Sequence, residues 1–464
     1  MVTQIRPYQQ LAISQMQEPA RMGYAVALPV GSGKTRIVAK FFAEMRQANR
    51  IDHMVVLCTK NTRQQWIEEL DMVESGLSFL ATVTNIEQIR NIRGHGYKGI
   101  ENVLKGQRCV LVVDESQRIA NDTQQTKAAI ALGRFSFYRI IMSGTMIDRP
   151  ENIFYQFAFL SGNNRNLLSC ESYYQFRAFY CKMKDRVFNG RKVQQITGYQ
   201  NLDSLKIKIA QNGIIRTREE VMPDLPPVIY VTRHIELGER ATKAYKEMND
   251  SMEAALTDFF GDEIGEPAKA TIVLTQLLRL QQIASGFLPV SGDEHSKGYV
   301  DFEHDKVDEV MDILAECGEN AKVIIFCRFL HEIQILEARM AKEGIYAVSI
   351  RGRSLNVEAS KRAFQEGDAQ VVIVGIQAGG VGLNLQSAAA VIFMSLPFSS
   401  IDFAQCVGRG DRLGRTGSLI VFQLALKVEQ IKETIDEKIM RALEKKTSLR
   451  EYIFGREHGD RTNC

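Results

Sequence analysis

Short apolar runs alternate with amphipathic stretches along most of this chain. Tyr24 to Leu28, Met54 to Cys58, Cys109 to Val113 and Arg139 to Met142 are too short for buried helices and rich in β-branched residues. They read as strands of a parallel sheet covered on both faces. Arg36 to Arg46, Thr62 to Glu74 and Asp122 to Gly133 lie between them with helical patterning. Alternation of this kind predicts a doubly wound α/β domain. A second such pattern starts near Asp305, with strands expected at Val323 to Phe326, Tyr346 to Ile350, Val371 to Val374, Val391 to Met394 and Leu419 to Phe422. The intervening region is less regular. Ser172 to Phe179 reads as an aromatic-rich helix, and Lys182 to Tyr199 as two strands around an Asn189-Gly190 hairpin turn. Pro223 to Pro227 is a rigid break, Gly238 to Phe260 and Ala268 to Ile283 read as helices, and Ser285 to Val300 as a loop. Val428, Ile431, Ile435, Ile439 and Leu443 form an apolar stripe, which predicts a C-terminal helix packed on the core.

Composition narrows the class without changing that picture. A chain of 464 residues is too long for one core, so two or more domains are expected. Apolar content of 45% and charged content of 24% are those of a globular protein. A net charge of +3 allows a nucleic-acid partner without demanding one. No apolar run has the length of a membrane span, and residues Met1 to Arg6 do not form a charged-then-apolar leader, so a soluble, cytoplasmic chain is expected. The eight cysteines include no Cys-x-x-Cys pair and read as reduced thiols in a cytosolic setting. The seven histidines show no zinc-binding spacing.

Candidate chemistry begins at Leu28-Pro29-Val30-Gly31-Ser32-Gly33-Lys34-Thr35, a glycine turn between a strand and a helix. Such a turn cradles a phosphate with backbone N–H groups and a helix N-terminus. Lys34 would reach the β- and γ-phosphates, and the Thr35 hydroxyl would hold Mg²⁺. The strict pattern has glycine where this chain has Leu28. Gln9, some twenty residues earlier, has an amide able to read an adenine edge, or it simply faces solvent. The strand from Cys109 ends in Asp114-Glu115-Ser116-Gln117. Asp114 there would bind Mg²⁺ and Glu115 would polarise an attacking water. Ser143-Gly144-Thr145 ends the next strand and could sense loss of the γ-phosphate. Lys182, Lys184, Arg186, Arg191 and Lys192 crowd the hairpin, which reads either as a solvated surface element or as a basic wedge against nucleic acid. The second α/β region carries no Gly-Lys-Thr but has Arg409 and Arg412, three apart and on one face if helical. They fit fingers reaching a γ-phosphate held by the first domain.

Taken in order, these segments resemble a superfamily 2 helicase core of the Swi/Snf-type DNA translocases, over residues 4 to 447. Arg6-Pro7-Tyr8-Gln9 is similar to the adenine-reading Q motif, Gly31 to Thr35 to motif I, and Val55 to Trp66 to motif Ia. Asp114 to Gln117 stands where the family has Asp-Glu-x-His, and Ser143 to Thr145 resembles motif III. Ile215 to Arg218 with Asp224 to Pro227 resembles the segment leaving the first lobe. Gly380 to Leu385 is similar to motif V, and Gln405 to Arg412 has the Gln-x-x-Gly-Arg-x-x-Arg form of motif VI. Gln117 in place of histidine, Leu28-Pro29-Val30 in place of an acidic pair, and the lack of a chromatin-reading domain depart from the pattern. They favour a compact motor nearer to phage or bacterial fork- and junction-remodelling helicases.

The resemblance implies an α/β fold of two tandem RecA-like domains, with a mainly helical insertion and a β-hairpin. The expected divisions are 1–160 for the ATP-binding lobe, 161–225 for its extension with the hairpin, 226–304 for the insertion, 305–430 for the second lobe and 431–464 for the C-terminal helix and tail. It implies ATP and Mg²⁺ as cofactors. Arg6, Gln9, Gly31, Ser32, Gly33, Lys34, Thr35 and Gly382 would contact the nucleotide, and Thr35 and Asp114 the metal. Lys34, Glu115, Gln405, Arg409 and Arg412 would serve hydrolysis. The partner implied is DNA, duplex or branched and read without sequence preference, touched by Lys60, Arg186, Arg191, Lys192, Arg328, Arg351 and Gln377. A monomer is expected.

Overall fold

A computed structural model of the chain describes residues 5–144, 146, 149–162, 167–188, 191–261, 267–290, 298–352, 356–379, 383–412 and 414–454. The chain divides into two compact units. Each is built on a six-stranded, wholly parallel sheet flanked by helices, so the protein is two tandem RecA-like domains.

The first sheet contains β1 (Gly23–Ala27), β2 (His53–Cys58), β3 (Ala81–Asn85), β4 (Cys109–Asp114), β5 (Tyr138–Ser143) and, after a separate hairpin, β8 (Gly213–Ile215). The hairpin is a two-stranded sheet of β6 (Cys181–Phe188) and β7 (Arg191–Tyr199). In the main sheet the strands run β3-β2-β4-β5-β1-β8. Every residue of β1, β4 and β5 is buried, which is why these strands read as continuous apolar runs. The core includes Val55, Leu57, Leu111, Val113, Ile141 and Phe157. β3 and β8 escaped the sequence reading. The first alternates with threonine and asparagine at an edge, and the second is three residues long.

The second sheet contains β9 (Val228–Glu236), β12 (Val323–Cys327), β13 (Ala347–Ile350), β14 (Val371–Gly375), β15 (Ala390–Phe393) and β16 (Leu419–Lys427). They run in the order β13-β14-β12-β15-β16-β9. β9 lies in the stretch expected to be linker or helical insertion, yet it pairs with β16 along its whole length, from Val228 opposite Leu419 to Glu236 opposite Lys427. That partner explains why β16 runs five residues past the predicted Phe422. The helices Glu239–Gly261 and Pro267–Ala284 form the expected insertion. The predicted loop from Ser285 instead holds β10 (Phe287–Pro289) paired antiparallel with β11 (Tyr299–Asp301).

The last helix spans Ile435–Phe454, seven residues later than the stripe implied. Thr434 caps its start, its N–H and hydroxyl bonding Glu437 at 2.7 and 3.1 Å. Val428 therefore packs in the core from outside the helix, whereas Ile435, Ile439 and Leu443 pack there from its face. Beneath them Lys306 and Asp436 form a buried ion pair, 1% and 0% exposed, at 2.9 Å. Among the described residues no helix is long and apolar enough to cross a membrane.

Candidate active site

β4, β5 and β1 are neighbours, so their carboxyl ends bring Asp114, Ser143 and the glycine turn together. Gly31 and Gly33 adopt φ of +80° and +78°, the left-handed conformation that a side chain disfavours. Leu28 is not among the positive-φ residues, so glycine is not required there; it is buried and contributes its carbonyl. Lys34 donates from Nζ to the carbonyls of Leu28 and Pro29 at 3.0 and 2.9 Å. The helix Lys34–Gln47 follows at once and places Thr35, half-buried, in its first turn.

The helix Pro7–Met16 clamps this turn from outside. Gln9 Nε2 donates to the Ser32 carbonyl at 3.1 Å, and Tyr8 donates its hydroxyl to the same oxygen at 2.7 Å. The other end of the Gln9 amide accepts from the Arg6 N–H at 2.9 Å. Gln9 is thus buried against the turn rather than solvated, and a Cβ on Gly33 would lie 2.6 Å from its Nε2. Arg6 itself is exposed.

Asp114 is held by both oxygens. Oδ1 accepts the Glu115 N–H at 2.9 Å, and Oδ2 accepts the indole N–H of Trp66 at 2.9 Å. Burial, reinforced by the charge of Glu115, pushes the Asp114 carboxyl up to about 6, while Trp66 and Lys34 pull it down. Glu115, just past the strand end, has φ +53°, the left-handed conformation that a side chain disfavours. The Gln117 amide donates to Glu115 Oε2 at 2.8 Å and accepts from the Ser143 hydroxyl at 2.7 Å. It therefore joins the two strand ends. Ser116 turns inward and donates to the buried Gln156 at 2.6 Å. Thr145 lies outside the described residues, as does Gly382 in the second unit.

In the second unit the helix Ser400–Gly410 carries Gln405 and Arg409, both buried. Arg412 falls beyond the helix end, so the shared helical face expected for Arg409 and Arg412 is not formed. Gly410 closes the helix, and Arg412 turns back to donate from Nε to the Gly408 carbonyl at 3.1 Å. Arg415, not singled out in the sequence, fixes this end through Asp411 at 2.9 Å and the Gly417 carbonyl at 2.6 Å. Arg328 follows β12 with its guanidinium 4.2 Å from the ring centre of Phe398, and Arg351 is paired with Glu337. Gln377, and in the first unit Lys60, are exposed. Arg186, Arg191 and Lys192 lie on the hairpin strands with side chains outside the described residues, as is the Asn189-Gly190 turn.

Two family models match these two units. Residues 3–148 match the model described as "Type III restriction enzyme, res subunit", and residues 305–414 the "Helicase conserved C-terminal domain". The chain is similar to an "Uncharacterized ATP-dependent helicase" of Mycoplasma pneumoniae, 23% identical over 97% of this chain and 42% of that one. It is likewise 23% identical to "DNA annealing helicase and endonuclease ZRANB3" of Mus musculus, over 86% of this chain and 36% of the relative. A solved structure, "Sulfolobus solfataricus SWI2/SNF2 ATPase core in complex with dsDNA", matches with 23% identity and a TM-score of 0.40 over 98% of this chain and 94% of that one. Residues 305–414 carry a helicase C-terminal domain, and the chain is similar to superfamily 2 helicases of the Swi/Snf type. It spans less than half the length of the two curated relatives just named.

In this chain the residue that departs from the Asp-Glu-x-His of the proteins it resembles, Gln117, uses both ends of its amide. Sequence reasoning placed Trp66 in motif Ia but gave it no role at the site. Nothing in its spacing announced that the adjacency of β2 and β4 would set it against Asp114. Tyr8 was missed in the same way, because its partner is a backbone carbonyl.

Proposed function

We propose that this helicase couples ATP hydrolysis to movement along DNA and remodels or unwinds branched DNA such as forks and junctions. The observation that carries the nucleotide part is the run of hydrogen bonds from Glu115 through Gln117 to Ser143, set beside the glycine turn. A Cβ on Gly144 would lie 3.5 Å from Lys34 Nζ, so the ends of β5 and the turn are in close register.

On this reading the N–H groups of Gly31 to Thr35 wrap the phosphates, and Lys34 exchanges its carbonyl partners for phosphate oxygens, which bind an ammonium more strongly. The Thr35 hydroxyl and Asp114 carboxylate are hard oxygen donors of the type Mg²⁺ takes. Bound there, the ion neutralises charge on the phosphates. Glu115 orients a water and accepts its proton as the oxygen bonds to the γ-phosphorus and the bond to the β-phosphate oxygen breaks, giving ADP and phosphate. Arg409, Arg412 and Gln405 act on the transferring group, and Arg6 and Gln9 border the base. Lys60, Arg328, Arg351, Gln377 and the hairpin cations contact the DNA backbone, so binding is independent of sequence and weakens with salt. The DNA substrate draws its support from the relative named as a DNA annealing helicase.

The test is ATP turnover and strand separation on single-stranded, duplex, forked and four-way DNA. Turnover should be low alone and rise with DNA; equal turnover with and without DNA refutes the motor. Triplex displacement without fork unwinding would make it a duplex translocase that clears proteins, and stronger stimulation by RNA would make it an RNA helicase. If replacing Arg186, Arg191 and Lys192 leaves unwinding intact at ordinary salt, the hairpin is not a wedge.

A further inference from the structure

We propose that Trp66 is a positioning residue for the metal-binding carboxylate, and that its indole is a built-in reporter of that site. The inference rests on the reading of Asp114 as a ligand of nucleotide-bound Mg²⁺. Trp66 is the one tryptophan in the chain. It sits on the helix Arg63–Val73, is 1% exposed, and donates from Nε1 to Asp114 Oδ2 at 2.9 Å.

The sheet dictates this contact. β2 and β4 are parallel neighbours, with Leu57 opposite Val113. Cys58 and Asp114 are therefore side by side at the two strand ends, and the charge of Asp114 helps burial push the Cys58 thiol up to about 12. After β2 the chain makes a single turn, Lys60–Thr62, and the helix that follows brings its fourth residue over the end of β4. An indole is a donor only, so it cannot ligate the metal itself; it occupies one lone pair of the carboxylate and leaves the others to the ion. With the Glu115 N–H on the other oxygen, the plane of the carboxylate is set from two directions. Partners of this kind in the surroundings of a metal ligand typically change metal affinity roughly 10–100-fold when removed. The same helix starts next to Lys60, an exposed residue of the segment assigned to DNA. The hydrogen bond thus ties that segment to the nucleotide site within one domain.

The experiment uses the full chain without DNA. ADP affinity is measured by equilibrium dialysis with Mg²⁺ and with EDTA, for wild type and Trp66→Phe, which keeps an aromatic ring but removes the N–H. Tryptophan emission of the wild type is followed in parallel. The expected result is that Mg²⁺·ADP shifts the emission whereas ADP in EDTA does not. In Trp66→Phe, affinity with Mg²⁺ should fall about tenfold and affinity in EDTA should stay unchanged. Equal loss in both media would mean that the indole merely packs the core, and the proposal fails. Unchanged wild-type emission at saturating Mg²⁺·ADP also overturns it, without relying on the variant folding. If Mg²⁺ does not strengthen ADP binding even in the wild type, the assignment of Asp114 to the metal falls, and this proposal with it.

Discussion

Replacing Glu332 by alanine should destabilise the second domain far more than replacing it by glutamine. Glu332 is fully buried near the start of the helix Leu330–Lys342. Its Oε2 accepts the N–H groups of Arg328 and Phe329 at 2.8 and 2.9 Å and the Ser395 hydroxyl at 3.1 Å, and Oε1 accepts the Ser285 hydroxyl at 2.5 Å. Alanine removes both acceptor oxygens and with them all four hydrogen bonds. The hydroxyls can re-aim and Arg328 N–H retains Ser395 Oγ at 3.1 Å, but the Phe329 N–H keeps no acceptor of this set. One stranded donor costs about 1–3 kcal/mol and a lost helix cap about 1 kcal/mol, so the expected loss is about 2–4 kcal/mol. Glutamine can keep its oxygen on the two N–H groups and turn its amide toward Ser285, and it removes a buried charge, so it should stay within about 1 kcal/mol of wild type.

Burial raises the Glu332 carboxyl, and the bonds from Phe329 and Ser285 do not offset it. A carboxylate raised on folding binds its proton more tightly in the native state. Its contribution favours folding at acid pH and is lost as pH rises from the ordinary glutamate range through the raised value. The glutamine variant should therefore gain on wild type as pH rises above the ordinary glutamate range. The measurement is amide hydrogen exchange of peptides covering residues 323–342, because the single tryptophan lies in the other domain and reports only there. Equal protection in the two variants, or no loss in Glu332→Ala, would refute the reasoning.

Three further outcomes are expected. Gly33→Ala should cut ADP binding at least tenfold in dialysis, since φ is +78° and the new Cβ would press on Gln9 Nε2 at 2.6 Å; wild-type affinity would show that the clamp yields. Lys34→Ala should abolish turnover while keeping DNA binding in a gel-shift assay, whereas Arg412→Ala should retain ATP binding and lose turnover; loss of ATP binding in Arg412→Ala would contradict its assigned role. Lys306→Met should cost about 3–5 kcal/mol in the second domain by leaving Asp436 buried and unpaired. Adding Asp436→Leu should recover most of that loss by the same hydrogen-exchange measurement, and failure to recover would mean that packing rather than charge dominates.

The sequence alone determined the two α/β domains and the glycine turn between the first strand and its helix. Those rest on local signals: apolar runs of strand length, glycines before Lys34, and acids at a strand end. The Gln405 to Arg412 motif was legible for the same reason, but not the fact that the helix Ser400–Gly410 ends before Arg412, because Gly410 and Asp411 decide that only through their packed backbone. β9 was not legible, since an edge strand with exposed Ile229 and Tyr230 has no buried pattern until β16 lies beside it. Tertiary structure alone decided that Trp66 meets Asp114, that Gln117 spans Glu115 and Ser143, and that Glu332 gathers donors from three separate segments. Each of these contacts depends on which strands are neighbours. Strand order is set by how two faces of a sheet are covered at once, a property that no window along the chain contains.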